Sequence, residues 1–333
     1  MSYTVFTDTS ANLPTRMVNE LAVSIVPFSY YVDGEERSCL DTDAFNGDEY
    51  YAAIKSGVRA TTSQVPPQRY IEYFEPVLSA GQDILYVCMS SGISGSCDSA
   101  RIAAEDLKER FPQRRVMIVD TLSASLGEGL VVLRAAELRD KGVSLERAYE
   151  ELCALSRRIC QIFTVDDLMH LRRGGRLSNL SAVVGTVLHI KPLLLGNEEG
   201  KIIAIAKLRG RKRSIEALAE KFEQLAVAPE TQLACIAQAG CREDAEYLAQ
   251  LLRDKCHPRD VLIVEYEPMT GAHVGPGALC TTSKNDVDYI VTEYGIAQLR
   301  GLSLSKRVKN LISIAHPDFR DELTFEAKKR GMI

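Results

Sequence analysis

No apolar run in this chain approaches the roughly 20 residues that a bilayer-spanning helix needs, so no membrane span is expected. Residues 1–10 lack a basic start followed by an apolar stretch, so no secretory signal is read there. The nine cysteines are odd in number and form no C-x-x-C pair. That excludes a disulfide framework and a zinc site of ordinary spacing, and fits a thiol-reduced, cytoplasmic protein with Cys88, Cys235 and Cys280 as small core residues. There is no G-x-G-x-x-G and no G-x-x-x-x-G-K-[ST], hence no nucleotide fingerprint. Tryptophan is absent, and a net charge of −5 gives no general pull toward nucleic acid or an anionic membrane.

What is present is length enough for about two domains and a 46% hydrophobic content, ample for a core. Short apolar runs alternate with helical patterns. Strands are expected at Tyr3–Thr7, Val23–Val32, Ile84–Met89 and Val116–Val119. Helices are expected from Leu13, from Thr42-Asp43 to about Ser56, from Pro66-Pro67, and over Cys97–Arg110 and Ser123–Asp140. This order predicts an α/β domain with a parallel sheet. Its strands run into hydroxyl-rich turns: Thr7 to Ser10, Thr61 to Ser63, Ser90 to Ser96 and Asp120-Thr121. Ser90-Ser91-Gly92-Ile93-Ser94-Gly95-Ser96, between a buried strand and a helix, offers N–H groups and hydroxyls at a helix N-terminus, a ready place for one oxyanion.

Ser144–Cys160 is amphipathic and bridges to a second α/β region. There Lys191–Leu195 and Lys201–Ala206 read as a hairpin, Leu233–Ala237 and Val261–Glu265 as strands, and Ser214–Leu225 and Arg242–Lys255 as helices. Leu180–Ile190 is apolar all round, a buried helix or the wall of a greasy cavity. Lys207–Arg213 holds five basic residues in seven, and Gly271–Gly277 reads as a glycine loop around His273.

The ordered set Thr7–Pro14, Thr62-Ser63-Gln64, Ser90–Ser96, Asp120–Ser125, Arg173–Ser178, Ile190-Lys191-Pro192, Arg209–Lys212 and His273–Gly277 resembles the DegV family over about residues 1–279. The resemblance implies bacterial, cytosolic fatty-acid carriers, not enzymes themselves, that need no cofactor. It implies a parallel-sheet N-terminal domain (1–160) and a mixed α/β second domain (161–279), with the ligand between them. It further implies a separate fatty-acid kinase that converts the bound carboxylate to an acyl phosphate. Thr62 and Ser94 are then the carboxylate's hydroxyl ligands, with Ser63, Ser91 and Gly95 beside them and Arg176 and His273 near the head group. His273 is expected to change charge near neutral pH. Arg209, Arg211 and Lys212 would dock the kinase. Leu180, Val183, Val184, Val187, Leu188 and Leu193–Leu195 are tunnel candidates. At roughly 0.8 kcal/mol per methylene, a dozen buried CH₂ groups give about 10 kcal/mol before ordering costs, so the head group sets orientation more than affinity.

Two rival functions are weighed against this. A serine hydrolase acting on an acyl ester through Ser94 lacks the G-x-S-x-G elbow, although five histidines leave a triad formally open. A nucleic-acid binder through Lys207–Arg213 runs against the acidic total.

The end of the chain departs from the DegV pattern. Cys280–Gly295 and Ala315–Arg320 resemble the carboxyl-terminal end of acetyl-CoA hydrolases and transferases, without the upstream catalytic glutamate of that family. The family's closing strand is read as lost after Leu279. Asp288–Val291 is expected to pair with the second-domain sheet in its place, with a helix over Ser303–Ala315 packed nearby.

Overall fold

The computed structural model describes residues 3–177, 190–284, 289–298 and 304–333, which fall into two compact units, Met1–Lys284 and Asn285–Ile333. The first half of the larger unit runs β1 (Tyr3–Asp8), α1 (Thr15–Glu20), β2 (Ser24–Val26), β3 (Ser29–Val32), β4 (Glu35–Arg37), α2 (Gly47–Lys55), β5 (Ala60–Ser63), α3 (Pro67–Ser79), β6 (Asp83–Cys88), α4 (Ser96–Arg110), β7 (Val116–Asp120), α5 (Leu126–Asp140) and α6 (Leu145–Ser156). Strands β2-β1-β6-β7 form a parallel sheet. Every residue of β6 is buried. Its side chains alternate: Ile84, Tyr86 and Cys88 pack with Tyr70 and Phe74 of α3 and Ala103 and Leu107 of α4, while Leu85 and Val87 pack with Val131 and Ala135 of α5. A strand covered on both faces is why its sequence is apolar throughout.

The single strand expected over Val23–Val32 is two. Pro27, which has no N–H to give a ladder, separates β2 from β3. Strand β3 turns through Asp33 and Gly34, both at positive φ, into β4, and pairs on its other side with β5, giving a three-stranded antiparallel sheet. Helix α2 starts not at Thr42-Asp43 but at Gly47, where the Asn46 side chain accepts from the Glu49 N–H.

The second half runs β8 (Ile159–Thr164), α7 (Met169–Arg173), β9 (Ile190–Gly196), β10 (Ile202–Arg209), α8 (Arg211–Leu225), β11 (Leu233–Gln238), α9 (Arg242–Cys256), β12 (Asp260–Glu265), α10 (Pro268–Val274) and β13 (Leu279–Lys284). They build a six-stranded sheet of order β10-β9-β8-β13-β11-β12, parallel only between β11 and β12. Helices α8 and α9 cover one face with Leu218, Phe222, Leu248 and Leu252. The expected loss of a closing strand after Leu279 is corrected here. Leu279 to Lys284 are that strand, set between β8 and β11 with Leu279 opposite Thr164 and Cys280 opposite Ala237. The glycine loop expected at Gly271–Gly277 is also corrected: His273 sits in the last turn of α10, and the chain turns only at Gly275 and Gly277.

The two halves interlock. The Asn197–Gly200 turn of the β9–β10 hairpin rests on the loop after β6: Ser90 Oγ donates to Gly200 O at 2.9 Å, and a Cβ on Gly92 would stand 2.4 Å from the Glu199 carbonyl oxygen. Only glycine allows that approach.

In the smaller unit, β14 (Tyr289–Thr292) pairs with β15 (Gly295–Gln298), and α11 (Leu304–Ser313) and α12 (Pro317–Lys329) follow. Tyr289–Val291 therefore form a strand, as expected, but its partner is β15 and not the six-stranded sheet. Ala297, Ile314 and Leu311 make a small core of their own. The unit begins at Asn285, five residues beyond the expected boundary at 280, because β13 belongs to the larger one.

Candidate ligand-binding site

In the parallel sheet the connection from β1 leads outward to β2, whereas β6 leads the other way to β7. The crevice beyond the carboxyl ends of β1 and β6 is thus a topological switch point, where open α/β sheets hold ligands. A cavity lies there, between the two halves of the larger unit. Its walls are mostly apolar: Phe28, Met89, Ile93, Leu122, Phe163, Leu171, Ile202, Met269 and Val274. Thr62, Ser94, Arg176 and His273 line it as well, and Thr62, Arg176 and His273 also line an adjoining, more polar cleft with Lys55, Arg59, Asp166 and Arg173. The polar mouth is where the two spaces meet.

Each side chain of the mouth has a physical reason for its place. Thr62 lies in β5, opposite Tyr30 of β3, so it projects from an antiparallel strand and not from a loop at a parallel strand's end. Its Oγ1 is 2.8 Å from His273 Nε2. Burial, then the nearby Arg176 charge, push the His273 imidazole down to about 4. It is neutral at physiological pH, which overturns the expectation of a charge change near neutrality. Ser94 Oγ donates to Ser96 Oγ at 3.1 Å and accepts from Ser96 N–H at 3.2 Å, and Val65 N–H donates to Ser96 Oγ, tying the Ser94 loop to the segment after β5. Arg176 follows the Gly174-Gly175 turn. Among the described residues its guanidinium donates only to the carbonyls of Ile93 and Gly174. Among the described residues it has no carboxylate partner, and its burial lowers its pKa.

The other expected site residues divide. Ser63 lines the cavity beside Thr62. Ser91 does not; it is exposed, and its Oγ donates to Asp120 Oδ2 at 2.5 Å. Gly95 is outside the lining too, packed so close that a Cβ would lie 2.2 Å from Gln64 Oε1. Leu193 packs in the core under α8 and α9 and Leu194 in the core on the sheet's other face, neither in the cavity lining, and Leu180, Val183, Val184, Val187 and Leu188 lie outside the described residues. In the basic run, Arg211 is held by Asp244 at 2.8 Å and Asp166 at 3.5 Å, and Arg213 by Glu220, whereas Arg209 and Lys212 are exposed.

Leu122 to Ser125, the turn after β7, belong to the Asp120–Ser125 motif but have no expected place in the site; they line the cavity. Leu122 and Ser125 both adopt positive φ, a strained conformation for residues with a Cβ. Sequence reasoning missed the buried acids behind the cavity. Ser10 Oγ lies 2.5 Å from Asp8 Oδ1 and 2.6 Å from Glu128 Oε2, and Thr7 Oγ1 donates to Glu128 Oε1. One hydroxyl hydrogen cannot fill two such contacts, so one carboxyl carries a proton. Burial raises both carboxyls. The native state then holds more protons than the unfolded chain above the ordinary glutamate range, so stability falls as pH rises. A glutamine at 128 mimics the protonated acid, accepting from Thr7 and donating to Ser10. Glu128→Gln is expected to flatten the decline in melting temperature between about pH 5 and 8. Parallel slopes for Glu128→Gln and the parent would contradict the proton count.

Among the described residues no helix is long and apolar enough to cross a membrane, and no group of three or more His, Cys, Asp or Glu is placed to hold a metal ion. Fold and site together define a two-lobed α/β protein with an apolar cavity under a polar, cation-bearing mouth. Residues 2–283 match the family described as "Uncharacterised protein, DegV family", and residues 271–327 match the acetyl-CoA hydrolase/transferase C-terminal domain. The chain belongs to the DegV family. It is 37% identical to a DegV domain-containing protein of Clostridium perfringens, over 83% of this chain and 95% of that one. A DegV family protein from Thermus thermophilus, whose structure is described by its fatty-acid binding, is 30% identical, with a TM-score of 0.78, over 86% of this chain and 100% of that one. DegV of Bacillus subtilis, described as a fatty acid binding protein, is 28% identical with a TM-score of 0.74, over the same shares of the two chains.

Proposed function

We propose that this protein is a cytoplasmic carrier that buries the chain of a long-chain fatty acid in the apolar cavity, holds its carboxylate at the mouth, and presents it to a separate fatty-acid kinase for acyl-phosphate formation. One observation carries the reading: among the described residues, the half-buried guanidinium of Arg176 stands at the mouth with only backbone carbonyls as partners. A cation so placed favours an anionic ligand. Thr62 and Ser94 supply neutral hydroxyls beside it, and the fatty-acid binding named for the Thermus and Bacillus relatives agrees. The polar cleft that shares Thr62, Arg176 and His273 leaves the carboxylate end open to a phosphoryl donor. Arg209 and Lys212, exposed, are the docking residues of this reading, while Arg211 is engaged by Asp244 and Asp166.

The hydrolase alternative is disfavoured by Ser94 itself. Among the described residues no histidine is bonded to it, and His273 pairs with Thr62 instead. The ion pairs of Arg211 and Arg213 speak against a nucleic-acid surface, since paired charges attract phosphate weakly.

The test is native mass spectrometry of the protein purified from bacteria, with a lipid extract of the same sample. A stoichiometric co-purifying fatty acid is expected. Thr62→Ala combined with Ser94→Ala is expected to weaken its binding by about 2–4 kcal/mol, since a charged acceptor loses two donors. Unchanged binding in the double variant would remove both hydroxyls from the head-group site.

A further inference from the structure

Helix α10 carries His273 at its last turn and begins behind Glu267. It belongs by sequence to the second half of the larger unit, yet it is fastened to the first. The Glu267 carboxylate is buried and accepts from both free N–H groups of the first turn: Oε2 from Met269 N–H and Oε1 from Thr270 N–H, each at 2.7 Å. The Glu267 N–H donates to Asn12 Oδ1 at 3.0 Å. Tyr50 Oη donates to Pro268 O at 2.8 Å and Tyr51 Oη to Tyr266 O at 2.7 Å. The helix lies flush on α2, for a Cβ on Gly271 would fall 2.1 Å from Tyr51 Oη. At its far end a Cβ on Gly174 would fall 2.4 Å from His273 Nδ1, so the imidazole has little room except toward Thr62.

We infer that Glu267 is the positioning residue of the head-group site: by capping α10 against Asn12, Tyr50 and Tyr51, it holds His273 in its hydrogen bond to Thr62. The inference rests on the fatty-acid reading of that site. It deepens it by naming a regulator of the mouth that touches no ligand.

The surroundings of Glu267 give the test its handle. Asp8 at the end of β1, Glu128 on α5, Tyr30 on β3, Cys39, Tyr50 and Tyr51 on α2, and Tyr266 act on it electrostatically, and none is a cation. Burial raises its carboxyl to about 7, while hydrogen bonds from Thr270 and Met269 pull it back. At the mouth His273 is pushed down to about 4 and Arg176 keeps its charge, while His170 of α7, which lines the adjoining cleft and packs on Gly275, is lowered by burial and then by the Arg173 charge. A step of His273 near neutrality that survives His170→Gln therefore comes from elsewhere. The charged carboxylate accepts from two N–H groups, whereas the protonated acid accepts well through one oxygen only. The cap is firm above about pH 7 and looser below it.

The experiment follows the His273 ring by NMR in the ligand-free full-length protein between about pH 5.5 and 8.5, with the signal assigned through His273→Gln. The expected result is a step near pH 7 in a ring that stays neutral, abolished by Glu267→Gln. Palmitate affinity is expected to weaken about fivefold on going from pH 8 to 6 in the parent, and to be flat in Glu267→Gln near the low-pH value. No step in the parent, or the same step in Glu267→Gln, overturns the inference. So does a step lost in Glu128→Gln but kept in Glu267→Gln, which would assign it to the other buried acid. If Glu267→Gln does not fold, a ¹³C titration of the Glu267 carboxyl in the parent decides, because its midpoint must coincide with the His273 step. Failure of palmitate to bind at any pH overturns the ligand reading, and the His273 step still decides the role of Glu267.

Discussion

Arg176→Ala is expected to lower fatty-acid affinity by about two orders of magnitude, roughly 3 kcal/mol. The guanidinium is the charge at the mouth that no described carboxylate neutralises, and it has already been drawn partly out of water by Ile93, His273 and Gly174. Desolvation without a counter-ion is unfavourable, as its lowered pKa records. A ligand carboxylate supplies the missing anion in a setting that solvent screens poorly, so its removal costs more than that of a surface charge. Arg176→Lys is expected to recover only part of the loss, because an ammonium lacks the planar fork that meets both carboxylate oxygens. Arg209→Ala with Lys212→Ala makes the contrast. Both side chains are exposed and neither lines the cavity, so binding should hold within about twofold while acyl-phosphate formation with a cognate kinase falls. Calorimetry with palmitate reads the first effect. If Arg176→Ala bound as tightly as the parent, the guanidinium would be a structural tie between Ile93 and Gly174, and the carboxylate would have to sit elsewhere.

The mouth was legible in the sequence to an uneven degree, and the reasons are local. Strand β6 announces itself, since a run buried on both faces has to be apolar. The Ser94 loop follows from it as a hydroxyl-rich turn between such a strand and a helix, although an ordinary helix cap has the same composition. Thr62 lines the cavity but lies in a different part of the fold from the loop expected for it. Its strand reads Ala-Thr-Thr-Ser, with no apolar alternation to mark it, and it exists through its pairing with β3. Helix α10 was hidden by Gly271, Gly275 and Gly277. What overrides the glycines is tertiary: the Glu267 cap, Pro268 in the first turn, and the close packing of Gly271 on Tyr51. The Glu267-Pro268 pair was the signal available in the chain. Strand β13 was missed for a related reason. Cys280-Thr281-Thr282-Ser283 is polar in composition yet wholly buried, and the Thr281 hydroxyl finds no partner there. Such a strand is held by its neighbours on both sides and not by a hydrophobic pattern of its own.

That strand carries the second large effect. Ending the chain after Leu279 is expected to abolish cooperative folding of the second half of the larger unit, while ending it after Lys284 should leave melting temperature and fatty-acid binding unchanged. The two products differ by only Cys280 to Lys284. Those residues pair with Phe163, Ile162, Gln161, Cys160 and Ile159 of β8 on one side, and with Ala237, Ile236 and Cys235 of β11 on the other. Without them two strands lose their ladders at the middle of the sheet, and two rows of backbone N–H and C=O groups face an empty slot. Unpaired buried backbone groups cost about 1–3 kcal/mol each, and several together exceed the roughly 5–15 kcal/mol by which a domain is stable. The exposed edges would also pair with other chains, so aggregation accompanies the loss. The cut after Lys284 removes only the smaller unit, whose hairpin pairs within itself and whose core is Ala297, Leu311 and Ile314. Thermal melts and light scattering on both products read the difference directly. Equal melting temperatures for the two would mean that β8 and β11 close on each other without β13, and a drop for the longer one would show that the larger unit draws stability from residues beyond Lys284.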